Sequence, residues 1–347
     1  MRRWRLAAVW VLALTVLVIG GCGGKKDAES VLGDLSKKIE SMQGYRGVGT
    51  LTIATGAHPI AYAVEVSHKK PQYYRVVLSN EESGVKQVIL KNDDGVFVVT
   101  PHLNKTYRFQ SDWPQNQSQI YLFESLVKNI ADDPARVFTP TEQGYLYHVK
   151  AQYQNRLLVT QKIWFDGKTL APRKVEVLDA DERVLVSLVF DRFEWNPSLT
   201  PDDFKDTKTS GSSDAALPDA HAPSAPTMAG GDDQDRSAAV AYREPSYRPN
   251  GMVLIGVDRK GDGSYALTYG GTHRLTISAA PARSMEVVAP VGEPVMVGGS
   301  IGVITETGEL TALRFTDGGV DYKLTTVDLP KEELVRVAES LLVAPEK

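Results

Sequence analysis

Hydrophobic and polar positions change their spacing at the end of a first short segment. From Ala28 to Met42, apolar residues recur three or four positions apart with polar residues between them, which is typical of an amphipathic helix. Gly44 ends this pattern, because glycine often follows the last turn of a helix. From Tyr45 onward apolar and polar residues alternate, which indicates a half-buried strand. The sequence therefore predicts one helix followed by β-structure.

Short strand-like runs then follow one another, separated by turn sequences such as Lys70-Pro71 and Asp166-Gly167. A helical pattern over Ser118 to Ile130 interrupts them. The predicted strands are 45–54, 60–67, 72–79, 85–91, 96–100, 105–109, 135–139, 145–152, 157–165, 171–178 and 184–195. Strands this short and evenly spaced predict an antiparallel meander, and residues 28–206 are predicted to form one α+β domain.

The composition changes abruptly after residue 206. Residues 207–250 are rich in Gly, Ser, Pro, Ala and Asp, with almost no bulky apolar residue before Tyr242. Such a composition buries too little surface to offset the entropy of ordering, so it predicts a disordered linker. Residues 251–347 are predicted to form a smaller β-rich domain that ends in a helix after Pro330. Its predicted strands are 252–257, 264–269, 274–279, 294–297, 301–305, 310–316 and 320–326.

The amino terminus has the three parts of an export signal. Arginines at positions 2, 3 and 5 precede an apolar run from Leu6 to Ile19, and Gly20-Gly21 then precede Cys22. Small residues directly before a cysteine resemble a bacterial lipobox, which implies a diacylglycerol on Cys22 and cleavage after Gly21. Residues 1–21 are thus predicted to be a lipoprotein signal peptide and 22–27 a lipidated tether, placing the protein on the extracytoplasmic face of the cell membrane. An ordinary secretory signal is the alternative.

Charge and cysteine content exclude some classes of protein. The formal net charge is −4, and removing the signal arginines makes the mature chain more acidic. A mildly acidic chain without a basic stripe is a poor nucleic-acid binder, so no nucleic-acid partner is expected. Cys22 is the single cysteine, so no disulfide is available and stability must come from packing.

Two short motifs resemble chemical sites but lack the residues such sites need. Gly298 to Gly302 matches the G-x-S-x-G pattern, yet no histidine follows it, so a glycine-rich hairpin is predicted. Asp258 to Gly263 resembles a calcium loop, but position twelve is Tyr269 instead of a glutamate, so a tight turn is predicted. The histidines are scattered, and His58, His68 and His102 are expected to be exposed near strand ends. No metal, no cofactor and no enzymatic activity is expected.

The late strands of the first domain carry a family resemblance. The stretches Ile163 to Asp179, Val184 to Asn196 and Leu199 to Phe204 are similar to the late strands of the lipoprotein-carrier (LolA/LolB-like) superfamily. This resemblance implies a half-open antiparallel β-barrel with a helical lid over an apolar cavity. It transfers no catalytic residue.

The two-domain plan adds a second resemblance. It is similar to that of the MucB/RseB-type proteins, which bind a membrane anti-sigma factor. The segment Val320 to Ser340 also resembles a C-terminal domain of lipoproteins from spore-forming Gram-positive bacteria, some of which act in sporulation or germination. The soluble carriers and the MucB/RseB-type proteins are not lipidated, which is a departure from what Cys22 implies here.

Aromatic and apolar residues on the predicted strands and inserted helix are the remaining candidates for a site. We expect a lipid- or peptide-binding cavity with these residues on its walls, and ordinary core packing is the alternative. The candidate cavity-lining residues are Tyr62, Tyr73, Phe97, Phe123, Leu126 and Trp164. The predicted function is a membrane-anchored protein that binds a protein partner in envelope regulation or assembly, with sporulation or germination as the expected process. A lipid or lipoprotein carrier that holds acyl chains in the cavity is the alternative function.

Overall fold

The computed structural model describes residues 26–54, 59–80, 84–114, 119–153, 157–205, 240–283 and 285–342. The predicted signal peptide, Cys22 and most of the predicted linker lie outside these residues. The described chain is mostly antiparallel β-structure with few helices, arranged as two sheets and a C-terminal helix. This confirms the strand-rich architecture that the alternating pattern predicts.

The first helix, α1, covers Ala28–Ser41, and the inserted helix, α2, covers Phe123–Asp132. Asp27 caps α1, because its carboxylate accepts a hydrogen bond of 2.8 Å from the Ser30 N–H. Helix α2 begins five residues later than the pattern predicts, since Leu122 still has extended backbone angles. The third helix, α3, covers Lys331–Ser340 directly after Pro330.

The first eleven strands follow the predicted order closely. They are β1 Gly44–Ile53, β2 Ile60–Lys69, β3 Tyr73–Asn80, β4 Val85–Asn92, β5 Gly95–Thr100, β6 Lys105–Gln110, β7 Val137–Thr141, β8 Gly144–Lys150, β9 Thr160–Asp166, β10 Pro172–Leu178 and β11 Val184–Trp195. Eight more follow residue 250. They are β12 Met252–Arg259, β13 Tyr265–Gly271, β14 Leu275–Pro281, β15 Met285–Val291, β16 Glu293–Val297, β17 Ser300–Thr307, β18 Leu310–Asp317 and β19 Val320–Thr326.

The larger sheet has twelve strands in the order β15-β6-β5-β4-β3-β2-β1-β11-β10-β9-β8-β7. Eleven of them come from residues 44–195. The twelfth, β15, comes from the second half and pairs in parallel with β6, with Met285 beside Lys105. Strands β7 and β15 lie at opposite edges, so the sheet is not closed into a barrel. The smaller sheet has seven antiparallel strands in the order β12-β13-β14-β19-β18-β17-β16.

Each face of the large sheet has its own core. Val31 and Leu35 of α1 and Leu126 and Ile130 of α2 are fully buried against one face, which we call the inner face. The opposite face of β3, β4 and β5 is covered by Leu199 and Phe204, the latter at the end of a short 3-10 turn. Helix α3 packs on the smaller sheet through apolar residues including Leu334 and Val337, and Leu341 directly after the helix packs with them.

Some residues before the predicted boundary at 251 pack against the smaller sheet. Val240 and Tyr247 pack against the core of the smaller sheet. The Tyr247 hydroxyl donates to the Glu333 carboxylate at 2.7 Å, and the Arg336 guanidinium lies 3.6 Å from the Tyr247 ring centroid. The final eleven residues of the predicted linker (240–250) therefore include aromatic and basic side chains that contact α3 and the smaller sheet.

Two polar contacts join the large sheet to the smaller one. The Lys105 ammonium, which is fully buried, pairs with the Asp321 carboxylate of β19. The Gln87 side chain accepts a 2.7 Å hydrogen bond from the backbone N–H of Ile301 in β17. Ile301 itself belongs to the core of the large sheet. The two halves of the chain thus share strands, core residues and buried polar pairs.

Candidate functional site

Helix α2 covers the inner face of the large sheet, where the resemblance predicts a cavity. The Phe123 ring is fully buried at its first turn. Its centroid lies 4.9 Å from Trp195, 6.2 Å from Phe165, 6.4 Å from Tyr45 and 6.5 Å from Phe193. These are the separations of packed aromatic pairs. Side chains of the protein itself therefore surround Phe123.

Further along the same helix, a buried polar chain ties α2 to the sheet. The Asn129 amide donates to the Gln161 side-chain oxygen at 2.9 Å, and the Gln161 amide donates to the Tyr153 hydroxyl at 2.7 Å. Asn129 and Gln161 are both fully buried. Because buried polar groups are costly unless paired, this chain fixes the position of α2 on β9.

A second polar group lies at the start of α2. The Tyr45 hydroxyl accepts a 3.2 Å hydrogen bond from the Phe123 N–H and donates to Oε2 of Glu124 at 2.9 Å. Leu122, which precedes the helix, has no side-chain hydrogen bond to offer. Tyr45 of β1 therefore caps α2 from the sheet below, satisfying one of the N–H groups that a helix leaves unpaired. Burial raises the pKa of Tyr45 well above its usual range.

His68 completes this group, which we call the cap cluster (Tyr45, His68 and Glu124). Its Nδ1 lies 3.0 Å from the carbonyl oxygen of Tyr73, and its Nε2 lies 3.2 Å from Oε1 of Glu124. Burial lowers the pKa of His68, although the Glu124 carboxylate opposes this effect. A neutral ring that donates from Nδ1 to the carbonyl places the lone pair of Nε2 against Oε1 of Glu124.

The expectation that His68 is exposed is wrong. Its side chain is buried because Tyr62, Val64, Val66 and His68 alternate along β2 on the inner face. The alternation of β2, continued from Val66 to His68, was the sequence signal that His68 lies on the buried face. His102 is exposed, as expected, and His58 lies outside the described residues.

Three of the six predicted cavity residues lie in one core. Tyr62, Phe123 and Leu126 are all buried in the inner-face cluster. Tyr62 lies at the contact with the smaller sheet, because a Cβ atom on Gly299 would overlap its hydroxyl. Burial, with the nearby Asp317 carboxylate, raises the pKa of Tyr62 to about 12.

The other three lie elsewhere. Tyr73 and Phe97 pack on the opposite face with Phe204, in a separate cluster. Trp164 is half-buried, and the Lys174 ammonium lies 5.2 Å from its ring centroid. The structure therefore does not bring the six residues together around one space.

The two motifs that resemble chemical sites are turns, as predicted. Gly298 and Gly299 connect β16 to β17 in a hairpin, and Gly298 has a φ of +59° that favours glycine. The Ser300 hydroxyl donates to Asp317 at 3.0 Å. Residues 260–264 form the turn between β12 and β13, closed by the Lys260 N–H donating to Ser264. Within the described ranges, no cluster of three or more metal-ligating side chains occurs.

No helix among the described residues is long and apolar enough to cross a membrane.

Comparison with solved structures finds similar folds at low identity. The complex of Pseudomonas aeruginosa MucA and MucB is 15% identical with a TM-score of 0.32, covering 88% of this chain and 97% of that one. The complex of the Clostridioides difficile CwlD amidase with the GerS lipoprotein is 17% identical with a TM-score of 0.31, covering 50% of this chain and 99% of that one. A LolA superfamily protein from Nitrosomonas europaea is 12% identical with a TM-score of 0.30, covering 53% of this chain and 100% of that one.

Comparison of sequences is more decisive. The protein family described as "Sporulation protein YdcC-like" matches residues 3–204. The "Sporulation protein YdcC" of Bacillus subtilis (strain 168) is 38% identical over 350 residues, covering 98% of this chain and 98% of that protein. The predicted resemblance to sporulation-linked proteins is confirmed by these matches. The chain therefore belongs to the YdcC family of sporulation proteins.

Proposed function

We propose that this chain is a lipid-anchored, extracytoplasmic protein that binds a protein partner during sporulation, without catalysing a reaction. Membership of a sporulation family supports the process. The lipobox-like sequence before Cys22 supports the anchor and the location. Two or more acyl chains would hold the protein firmly at the membrane surface.

The observation that carries the partner-binding role is the packing of Phe123. A carrier needs an empty apolar space for an acyl chain. The carrier resemblance predicts that this space lies beneath the helical lid. Phe123 instead has four aromatic neighbours within 6.5 Å and no exposed surface. Leu126 and Ile130 of the same helix are also fully buried. This packing favours a role in binding a protein partner and argues against a cavity that holds a lipid.

We further propose that the large sheet is a half-open barrel lidded by α2. Residues from β1, β8, β9, β10 and β11 all enter the same core beneath that helix, which supports a strongly curved sheet. In this arrangement the lid is a fixed structural element. Its two polar contacts with the sheet, at the partly exposed Glu124 and the buried Asn129, favour one position of α2.

The test uses the tagged full-length protein in a sporulating host. After chemical crosslinking and purification, mass spectrometry would identify both proteins and non-covalently bound lipids. We expect a specific protein adduct and no stoichiometric lipid besides the anchor. Cys22→Ala should release the protein from the membrane fraction or leave it unprocessed. A stoichiometric lipid without a protein adduct would contradict the proposal and favour the carrier.

A further inference from the structure

The two sheets leave four edge strands in the part of the chain that the structure describes: β7, β15, β12 and β16. Edge strands expose unpaired backbone groups and invite pairing with other chains, so proteins commonly protect them. Pro140 lies within β7, Pro290 within β15 and Pro294 within β16. Proline cannot donate a backbone hydrogen bond, so it discourages pairing at these three edges.

Strand β12 differs from the other three edges. It is eight residues long, contains no proline, and is longer than β7, β15 and β16. Three β-branched residues on its solvent face are exposed: Val253 at 55%, Ile255 at 66% and Val257 at 47%. Met252 is buried on the opposite face and Leu254 packs against the same core. The edge therefore combines free backbone groups with an ordered apolar row.

The protective features of this edge are a bulge at Ile255 and the exposed charged residues Asp258 and Arg259 at its end. The pairing of β12 with β13 shifts between Leu254 and Gly256, which leaves Ile255 without a partner residue. A bulge increases local twist but keeps every backbone N–H in place, unlike a proline. It therefore protects the edge less than the prolines protect the other three.

We infer that β12 is the docking edge for an extended segment of a protein partner, which adds to the smaller sheet as an eighth strand. This inference rests on the proposed partner-binding function and names its surface. Backbone hydrogen bonds would supply affinity, as in other cases of strand addition. Specificity would come from apolar, preferably β-branched residues at alternate positions of the partner, lying beside Val253, Ile255 and Val257.

A second copy of this chain fits the edge less well. A symmetric antiparallel pair that keeps the three apolar residues together would place Val253 beside Val257 and Ile255 beside Ile255. The two bulges would then meet at the centre of the ladder and interrupt it. A flexible partner segment has no such restriction, because its own register can adapt to the bulge.

The experiment places a photo-crosslinking amino acid, p-benzoylphenylalanine, at Val253 or at Val257 of the full-length protein in sporulating cells. The matched control places it at Val189, which is 42% exposed but lies in β11 between two paired strands. We expect adducts from 253 and 257 to one partner protein, at positions about four residues apart in a single segment. Val189 should give none to that segment.

A second arm tests the edge by substitution. Ile255→Lys adds a charge of the kind that protects natural edges. It should reduce the adduct yield from position 257 by about tenfold, equivalent to about 1.4 kcal/mol of binding. Val189→Lys should leave the yield unchanged. Both residues are exposed, so thermal unfolding should match that of the wild type and thereby exclude misfolding.

Each other outcome overturns the inference in a recognisable way. Adducts to a second copy of this chain would indicate self-association at β12. Adducts scattered over several partner segments would rule out strand pairing. If a general amine crosslinker captures a partner but positions 253 and 257 do not, the partner-binding function survives and β12 is excluded. If no protein is captured by any route, the proposed function fails as well.

Discussion

The Nε2 atom of His68 lies 3.2 Å from Oε1 of Glu124, while Nδ1 of the same ring faces the carbonyl oxygen of Tyr73 at 3.0 Å. The carbonyl can only accept, so Nδ1 must carry the proton of a neutral ring. Nε2 and Oε1 are then two hydrogen-bond acceptors that face each other. Oε1 of Glu124 is buried and accepts no hydrogen bond from the described residues. The cap cluster thus contains two facing acceptors with no donor between them.

Glu124→Gln should supply the missing hydrogen-bond donor at pH 8. The glutamine amide can donate to Nε2 while its oxygen still accepts from Tyr45. We expect the free energy of unfolding to stay equal or rise by up to about 1.5 kcal/mol, the net value of one hydrogen bond. Glu124→Ala, which leaves the Tyr45 hydroxyl without its acceptor, should lose about 1–3 kcal/mol. Chemical denaturation of both variants checks this, and equal losses would contradict it.

Stability should also depend on pH through His68. Because burial lowers its pKa in the folded state, the unfolded chain binds the proton more readily. Stability should therefore be complete above about pH 6.5, the unperturbed histidine pKa, and fall as pH drops through the lower folded value. Glu124, Tyr45, Tyr74 and Lys70 are the charged or titratable groups around the ring.

The control for this pH dependence is His68→Gln, whose amide can still donate to the Tyr73 carbonyl. Its unfolding curve should stay flat until carboxylates titrate. Asp166 and Asp179 have lowered pKa values because backbone N–H groups donate to them. Their contribution is present above about pH 4 and is lost only below it. A wild-type curve that is flat between pH 6.5 and 5 would contradict the assignment.

Local sequence patterns predicted most strands because period-two alternation and turn residues act over a few positions. Strand β15 was missed because its partner, β6, lies about 180 residues away, and a parallel pairing leaves no local turn signal. The start of α2 was misplaced because its cap comes from Tyr45 of a distant strand. The predicted cavity residues lie on different faces of the sheet for a similar reason. Aromatic residues on strands signal burial, but alternation alone does not say on which face of the sheet.

The ion pair between the buried Lys105 and the partly exposed Asp321 should be important for holding the two sheets together. Lys105→Met leaves Asp321 without its cation, and we expect a loss of about 3–5 kcal/mol in the free energy of unfolding. Adding Asp321→Asn should recover much of that loss, because no charge is then left unpaired. Lys205→Met, which removes an exposed pair with Asp202, should cost less than about 1 kcal/mol. Equal effects of the buried and exposed substitutions would contradict the assignment.

Deleting residues 210–238 should leave both sheets folded. The composition of this segment predicts that it contributes no core residues, and Val240, which packs on the smaller sheet, lies beyond the deletion. We expect the thermal unfolding midpoint to change by less than about 4 °C, which corresponds to roughly 1 kcal/mol or less. A deletion that starts at 210 and extends to 247 is the contrasting variant. It removes Tyr247 and its contacts with α3, so it should unfold at a clearly lower temperature.

Phe123→Ala, studied together with probe binding by the wild type, tests the central claim that the inner face is filled by the protein itself. For tightly packed Phe123 we expect the free energy of unfolding to fall by about 3–5 kcal/mol. Phe97→Ala, on the opposite face, is the control for loss of a buried ring. The wild type should bind no fluorescent fatty acid, whether or not Phe123→Ala opens a small cavity. A loss below about 1 kcal/mol, with stoichiometric fatty-acid binding by the wild type, would contradict the account and identify a carrier.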